Sequence, residues 1–330
     1  MLKKRKEKIL KENYTKDDNK YYVRELDEYE NVFIRDNDES YLLKSELQKV
    51  KQNVGFNGLS RSEWASLSKN VWNDLSSPRN KYQLEHGAVY PVKLAERLIK
   101  MYSKEGDMVF DPFLGIGTTL IAAQNLGRHG IGIELNSKFV QIAKEWIDEN
   151  KGLFLKEFKY EVINDDCRNL LQYVKKDTIQ VTVTSPPYAN FIRRSIEDRT
   201  TTHKKSVITF ENKSTVKPYS DNESDFGNLP YQRFLKEIKI ILKNNYEVTK
   251  NGGYSTWVVK DYRDTKNKIP YVAFHSDIAR IGEEVGFKFH DLIIWDQTGQ
   301  RKLVLLGYPS VFYTNQNCSF IVVFRKVKYL

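Results

Sequence analysis

Thr184-Ser185-Pro186-Pro187-Tyr188 sets a hydroxyl, two prolines and an aromatic ring behind the β-branched run Ile179-Gln180-Val181-Thr182-Val183. That run reads as a buried parallel strand, so these residues stand where a strand ends, the usual ligand position of an open α/β sheet. Proline fixes φ and removes a backbone donor, so Pro186-Pro187 makes a stiff corner with a bare carbonyl on Pro186. Such a corner presents an acceptor to an amino group, while Tyr188 offers a flat face to a planar ring. The arrangement suits a nucleobase held by its exocyclic amine. Taken alone, it equally fits a Pro-Pro turn beside a core tyrosine.

A second constellation lies upstream. Asp111-Pro112-Phe113-Leu114-Gly115-Ile116-Gly117-Thr118-Thr119 joins the short strand Met108-Val109-Phe110 to a helix. Glycines at such a turn let backbone approach a ligand closely. A dinucleotide fingerprint needs a third glycine where Leu120 stands, and a P-loop needs Gly-Lys-Ser/Thr, so NAD and nucleoside triphosphates are disfavoured. A nucleoside carrying an amino acid fits instead. Gly130-Ile131-Gly132-Ile133-Glu134 ends the next strand in a carboxylate that can accept from ribose hydroxyls, and Asn164-Asp165-Asp166 ends the third, where Asp166 can accept from an adenine amine. An acid at the end of each of three successive strands is a far stronger signal than a lone Gly-x-Gly.

Together these residues resemble the S-adenosylmethionine-dependent DNA amino-methyltransferases, over roughly residues 86–326. Asp111 to Thr119 resembles the DPFxGxGTT cofactor loop. Thr184 to Tyr188 resembles the TSPPY motif of the cytosine-N4 enzymes, whose adenine-N6 relatives usually carry Asp or Asn in place of Ser185. His86-Gly87-Ala88-Val89-Tyr90-Pro91 is similar to the family's H-P-A-x-F-P segment, with Gly87 replacing the usual proline. The cofactor loop precedes the catalytic loop here, whereas many TSPPY enzymes have the reverse order. The resemblance implies S-adenosylmethionine as cofactor, held by Asp111, Pro112, Phe113, Gly115, Gly117, Thr118, Glu134, Asp166 and Cys167, and no metal. It implies catalysis by Ser185, Pro186, Pro187 and Tyr188 on a flipped-out cytosine in double-stranded DNA. It also implies a cytoplasmic bacterial or phage modification enzyme, paired with a restriction endonuclease that acts separately.

The chemistry expected follows from the amine. Its lone pair is delocalised into the ring, so acceptors at Ser185 and Pro186 must draw the nitrogen toward tetrahedral geometry. A C5-directed reaction needs a cysteine nucleophile, and neither Cys167 nor Cys318 follows a proline in a catalytic loop. Adenine-N6 methylation and guanine-N2 methylation of RNA share this fold and cofactor. The third alternative is a non-catalytic DNA-binding module of the same fold.

The elements that must position these residues alternate regularly. Helices are expected over Pro91–Met101, Thr118–Leu126, Ser137–Glu149, Tyr231–Tyr246 and Ile269–Val285. Strands are expected at 108–110, 130–133, 160–163, 179–183, 254–259, 287–295 and 319–324. Alternation of this kind predicts a doubly wound, mostly parallel seven-stranded sheet with an antiparallel last strand, and the resemblance above implies that it is the Rossmann-like class I methyltransferase fold. Residues 1–80 read as a basic N-terminal extension, with a frayed arm over 1–20, and 81–330 as the catalytic domain with inserted loops at 189–230 and 297–317. Met1 to Lys6 has no apolar core behind it, so no secretory signal is expected.

The net charge of +10 draws the chain to polyanions. The 189–230 loop carries Arg193, Arg194, Lys204 and Lys205 among aromatic residues, a composition suited to phosphate contact and base stacking. Arg301, in the 297–317 loop, is a second candidate DNA contact. His275 and His290 fall within helix or strand patterns and read as structural or surface residues.

Overall fold

The computed structural model describes residues 14–17, 20–23, 55–76, 78–86, 89–151, 158–187, 225–264, 268–300, 310 and 312–327. The chain divides into two compact units, 1–53 and 54–330. In the first, β1 (Tyr14–Asp17) pairs antiparallel with β2 (Lys20–Val23), with Asp17 opposite Lys20. A strand pair thus stands within a stretch whose polar sequence suggested a frayed arm.

The second unit runs α1 (Arg61–Leu67), β3 (Val71–Trp72), α2 (Lys81–His86), α3 (Val92–Tyr102), β4 (Met108–Asp111), α4 (Thr118–Asn125), β5 (His129–Glu134), α5 (Ser137–Lys151), β6 (Tyr160–Asn164) and β7 (Ile179–Thr184). It continues through α6 (Tyr231–Val248), β8 (Thr249–Val259), β9 (Tyr262–Asp264), β10 (Ile269–Val272), α7 (Phe274–Glu284), β11 (Lys288–Asp296) and β12 (Cys318–Arg325). The main sheet has the order β3-β11-β12-β8-β7-β4-β5-β6. All neighbours are parallel except β12, which runs antiparallel to both β11 and β8. This is the Rossmann-like arrangement expected from the sequence. An eighth strand, the two-residue β3, extends the edge, and it comes from the segment read as N-terminal extension.

Successive strand side chains point to opposite faces, and helices cover both faces of this sheet, so apolar residues are needed at odd and even positions alike. Val109, Val181, Val183, Val258, Ile321 and Val323 join the core on one face with Leu94, Leu98 and Ile99 of α3. Phe110, Trp257, Val259, Val322 and Phe324 face the other way, onto Phe234, Ile238 and Ile241 of α6 and Ile278 and Ile281 of α7. The α6 positions recur at three- and four-residue spacing, one stripe of a helix. Two of the helices are entered through proline: Pro91 and Pro230 precede α3 and α6 in extended backbone, where a missing N–H costs nothing.

Two expectations are corrected. The helix expected from Ile269 begins at Phe274; Ile269–Val272 is a strand instead, paired with β9 in a separate hairpin. Pro270 cannot donate inside a helix, and Lys268, at φ 59°, turns the chain back on β9. Asp261 then fixes the hairpin to the helix start, accepting from the Tyr271 hydroxyl (2.7 Å) and the His275 backbone N–H (3.0 Å). The Gly252-Gly253 turn expected ahead of the fifth strand lies inside β8, which begins at Thr249. There the register against β7 shifts, and Gly252 adopts φ 81°, so the glycines make a bulge rather than a reversal. Of the two histidines read as structural, His275 stacks on Phe320 and His290 meets Tyr254 edge-on.

Candidate active site

The chain leaves β4 to build β5 and β6 on one side, then crosses to build β7 and β8 on the other. The carboxyl ends of β4 and β7 therefore open a crevice at the point where the winding reverses. A cavity partly open to solvent fills this crevice. Ser185, Pro186 and Pro187 line it together with Pro112, Phe113, Gly115, Thr118, Glu134, Asp166 and Cys167. The expected catalytic corner and seven of the nine expected cofactor residues thus share one chamber. Tyr188, Arg193, Arg194, Lys204, Lys205 and Arg301 lie outside the described residues.

The other two residues, Asp111 and Gly117, stand behind the wall. Asp111 is 1% exposed. It accepts hydrogen bonds from Thr184 Oγ1 (2.6 Å), Thr119 Oγ1 (2.5 Å), the Phe113 N–H (3.0 Å) and the Tyr90 hydroxyl (3.3 Å). These favour its ionised form, but burial is the larger influence and raises the carboxyl to about 6. Gly117 caps α4 at φ 92°, where an added Cβ would lie 3.1 Å from that of Ala143. Both residues shape the loop without facing the cavity.

Glu134 ends β5 inside the cavity. Its Oε2 accepts from the Gly115 N–H and its Oε1 from the Asn136 N–H, each at 2.8 Å. Gly115 reaches this geometry at φ 56°, and an added Cβ would come within 3.2 Å of His86 Nε2. Two backbone donors hold the carboxylate, yet burial outweighs them and raises it to about 7, with the charges of Asp111 and Asp225 adding to the rise. Each oxygen keeps lone-pair capacity for a hydroxyl.

Asp166 lines the cavity and caps the 3-10 turn Cys167–Gln172. Most of its carboxylate is engaged by Arg168, whose Nε and guanidinium nitrogen reach it at 3.0 and 2.5 Å and which also contacts Glu237 at 3.2 Å. Its capacity for an adenine amine is correspondingly reduced. Burial drives the Cys167 thiol well above its ordinary range, so it remains protonated. Burial likewise lowers His86 to about 4, leaving a neutral imidazole that packs on Phe139.

The donor set fits a nucleoside bearing an amino acid. Thr118 Oγ1, at the N-terminus of α4, is buried with no hydrogen-bond partner among the described residues and borders the cavity. A helix N-terminus and a hydroxyl donor together favour a carboxylate. Glu134 offers acceptors for a diol, while Phe113, Ile133, Leu135 and Phe139 offer apolar walls for a base. Sequence reasoning missed Asp225 and Phe226, which enter from the far end of the 189–230 loop, and Phe139 on the first turn of α5. Only Phe139 left a signal, an apolar residue just past a helix start.

Residues 2–145 match the family model described as DNA methylase, a span that holds Asp111 to Thr119 and Glu134 but not Ser185. The chain is 30% identical over 209 residues to the type II methyltransferase M.MthZI of Methanothermobacter thermautotrophicus, covering 62% of this chain and 54% of that protein. It is 37% identical over 116 residues to the type II methyltransferase M.BglI of Bacillus subtilis, covering 33% and 32% of the two. A solved S-adenosylmethionine-dependent methyltransferase from Methanosarcina mazei shares 15% identity at a TM-score of 0.42, over 70% of this chain and 98% of that one. The chain spans about half the length of the first curated relative it matches. The resemblance carried by its motifs therefore holds: this chain is similar to S-adenosylmethionine-dependent DNA methyltransferases.

Proposed function

We propose that this protein methylates the exocyclic N4 amine of a cytosine flipped out of duplex DNA, with S-adenosylmethionine as donor. The single observation that carries the reading is the shared cavity, in which Ser185–Pro187 and the Gly115–Glu134 pair line one space. Glu134 would hold the ribose diol, Thr118 the methionine carboxylate, and the Asp166–Cys167 side the adenine. The cofactor supplies an activated methyl group on a sulfonium sulfur, so positioning provides most of the rate gain.

The chain's own part is to present the amine. The Ser185 hydroxyl makes no hydrogen bond to the described residues, and the Pro186 carbonyl ends a corner that cannot relax. Accepting one N–H each, they draw the nitrogen out of conjugation and aim its lone pair. Serine is a weak base, so the amine proton leaves after transfer. Cys167 stays a thiol and takes no part as nucleophile. Extruding the base costs a few kcal/mol, offset by stacking on Tyr188 and by phosphate contacts from the basic 189–230 loop.

Ser185, rather than Asp or Asn, favours cytosine over adenine. Methylation of plasmid DNA by the purified protein, followed by base-resolved modification sequencing and nucleoside mass spectrometry, tests the reading. N4-methylcytosine at a fixed sequence is expected. N6-methyladenine would overturn the base assignment and leave the cofactor pocket standing. Labelling of tRNA in preference to DNA would overturn the DNA substrate.

A further inference from the structure

The cavity contains a carboxylate that the reading above leaves without a role. Asp225 and Phe226 line it from a 3-10 turn, Phe226–Asn228, that precedes α6. Phe226 is 3% exposed, meets Phe113 edge-on at 5.7 Å and lies 5.3 Å from the Arg168 guanidinium. Gly227 rests against the catalytic corner: a Cβ there would stand 3.7 Å from that of Pro187. Asp225 is 7% exposed, and its Oδ1 fixes the turn by accepting from the Gly227 N–H at 2.8 Å. Its charge is also felt at Glu134, whose ionisation it opposes. Asp225 therefore lines the same cavity as the corner that would hold the target amine and the carboxylate that would hold the ribose, and its own turn packs on that corner through Gly227.

The sulfur of S-adenosylmethionine is one carbon from the ribose ring, and its methyl must face the amine. It thus belongs between those two positions. The same cavity is bordered by buried Thr118 Oγ1, which has no hydrogen-bond partner among the described residues, stands at the N-terminus of α4 and suits the methionine carboxylate. Donors and a buried acid in one cavity match the polarity of the cofactor. We propose that Asp225 is a positioning residue that senses the sulfonium charge, so that the pocket favours the methyl donor over its neutral thioether product. The inference rests on the reading of this cavity as the cofactor site. It adds a reason for product to leave: once the methyl is transferred, the sulfur no longer carries the charge that Asp225 attracts.

The test is Asp225→Asn, which keeps the oxygen that accepts from Gly227 and so keeps the turn. Titration calorimetry would compare S-adenosylmethionine, S-adenosylhomocysteine and sinefungin, which carries a protonated amine in place of the sulfonium methyl. The variant should bind S-adenosylmethionine and sinefungin roughly tenfold more weakly, the scale of one charge pair in a half-solvated pocket, and S-adenosylhomocysteine within about twofold of wild type. Asp225→Ser, with another side chain that can cap the turn, should show the same split. Equal weakening of all three ligands would mean that Asp225 serves the fold or the shared ammonium group, and would overturn the proposal, as would no change in any. If the wild-type protein binds none of the three, the cavity itself has been misread, a failure plainly separate from loss of the split.

Discussion

The substitution Asp111→Asn isolates what holds the crevice together. Four donors reach this carboxyl, from Thr184, Thr119, Phe113 and Tyr90, and none carries a charge. They orient the carboxylate without neutralising it, and burial keeps the acid protonated up to about pH 6. An aspartate in the unfolded chain titrates near ~3.9. A folded pKa raised above the unfolded one means that the folded protein holds more protons between the two. Its contribution to stability is then complete below about pH 4 and lost as pH rises through about 6. Between pH 4.5 and 7.5 this amounts to about 2 kcal/mol. Asparagine has nearly the same shape and does not titrate, so Asp111→Asn should be more harmful at pH 4.5 than at pH 7.5, by about 2 kcal/mol. Some cost remains at both, since the new amide turns donors toward hydroxyls that already donate, of the order of 1–3 kcal/mol. Urea unfolding at the two pH values, followed by circular dichroism, gives both numbers. An equal loss at pH 4.5 and 7.5 would refute the reasoning that burial outweighs four hydrogen bonds at this carboxyl.

Three further substitutions probe the rest of the site and its support. Ser185→Ala should lower turnover by about 100-fold or more while leaving cofactor affinity within about twofold, since it removes an acceptor used only by the target amine; single-turnover kinetics and calorimetry separate the two, and an unchanged methylation rate would remove Ser185 from the mechanism. Cofactor affinity should weaken about tenfold between pH 8 and pH 6 as Glu134, raised to about 7, takes up a proton and loses acceptor capacity; Glu134→Ala should bind weakly at both pH values and flatten the dependence. Lys326 is 3% exposed and donates to Asp177 Oδ1 (2.9 Å) and to the Tyr246 and Thr249 carbonyls (2.7 Å each) at the end of α6. Lys326→Met should destabilise the protein by about 2–4 kcal/mol in thermal or urea unfolding without changing the cofactor affinity of the folded fraction.

What could be read from the sequence depended on the length scale of each feature. The strands behind the site announced themselves because both faces are buried, and Ile179 to Thr184 reads as a β-branched run broken only by Gln180. The acids at the ends of β4, β5 and β6 were legible for the same reason, since a strand end is fixed by the run before it. Ile269–Val285 was misread because Ile269 and Val272 share the three-residue spacing of Ile278 and Ile281, and period alone cannot place a helix start. Pro270 decides the matter locally. Asp225 and Phe226 had no readable signature at all. They stand 38 and 39 residues beyond Pro187, and only tertiary packing brings their turn against it. Arg168 is a similar case: its spacing from Asp166 is evident, but that it occupies the carboxylate expected to meet adenine is a matter of rotamer and of Glu237, on α6.

The residues of the two motifs divide by role, and the division explains why they belong together. Ser185, Pro186, Phe113, Gly115 and Thr118 face the cavity, whereas Asp111, Thr119 and Thr184 face one another. Thr184, the first residue of the catalytic motif, donates to Asp111, the first of the cofactor loop. Thr119, the last of that loop, donates to the same carboxyl and lies within 3.3 Å of the carbonyl of Val183, the residue before Thr184. A methyl transfer between two bound groups depends on a separation held to a fraction of an ångström, and loops on neighbouring strands would not hold it by backbone pairing alone. Here β4 and β7 are joined by ladder pairs only as far as Phe110 and Thr182, so beyond that point the separation is set by the Asp111 hydroxyl contacts. Loosening that contact should therefore slow transfer even where both ligands still bind. Thr184→Val, which keeps the β-branched shape and deletes the hydroxyl, is the least invasive way to see it: single-turnover transfer should slow about tenfold or more with cofactor affinity unchanged, and transfer at the wild-type rate would show that the strands hold the two loops in register without it.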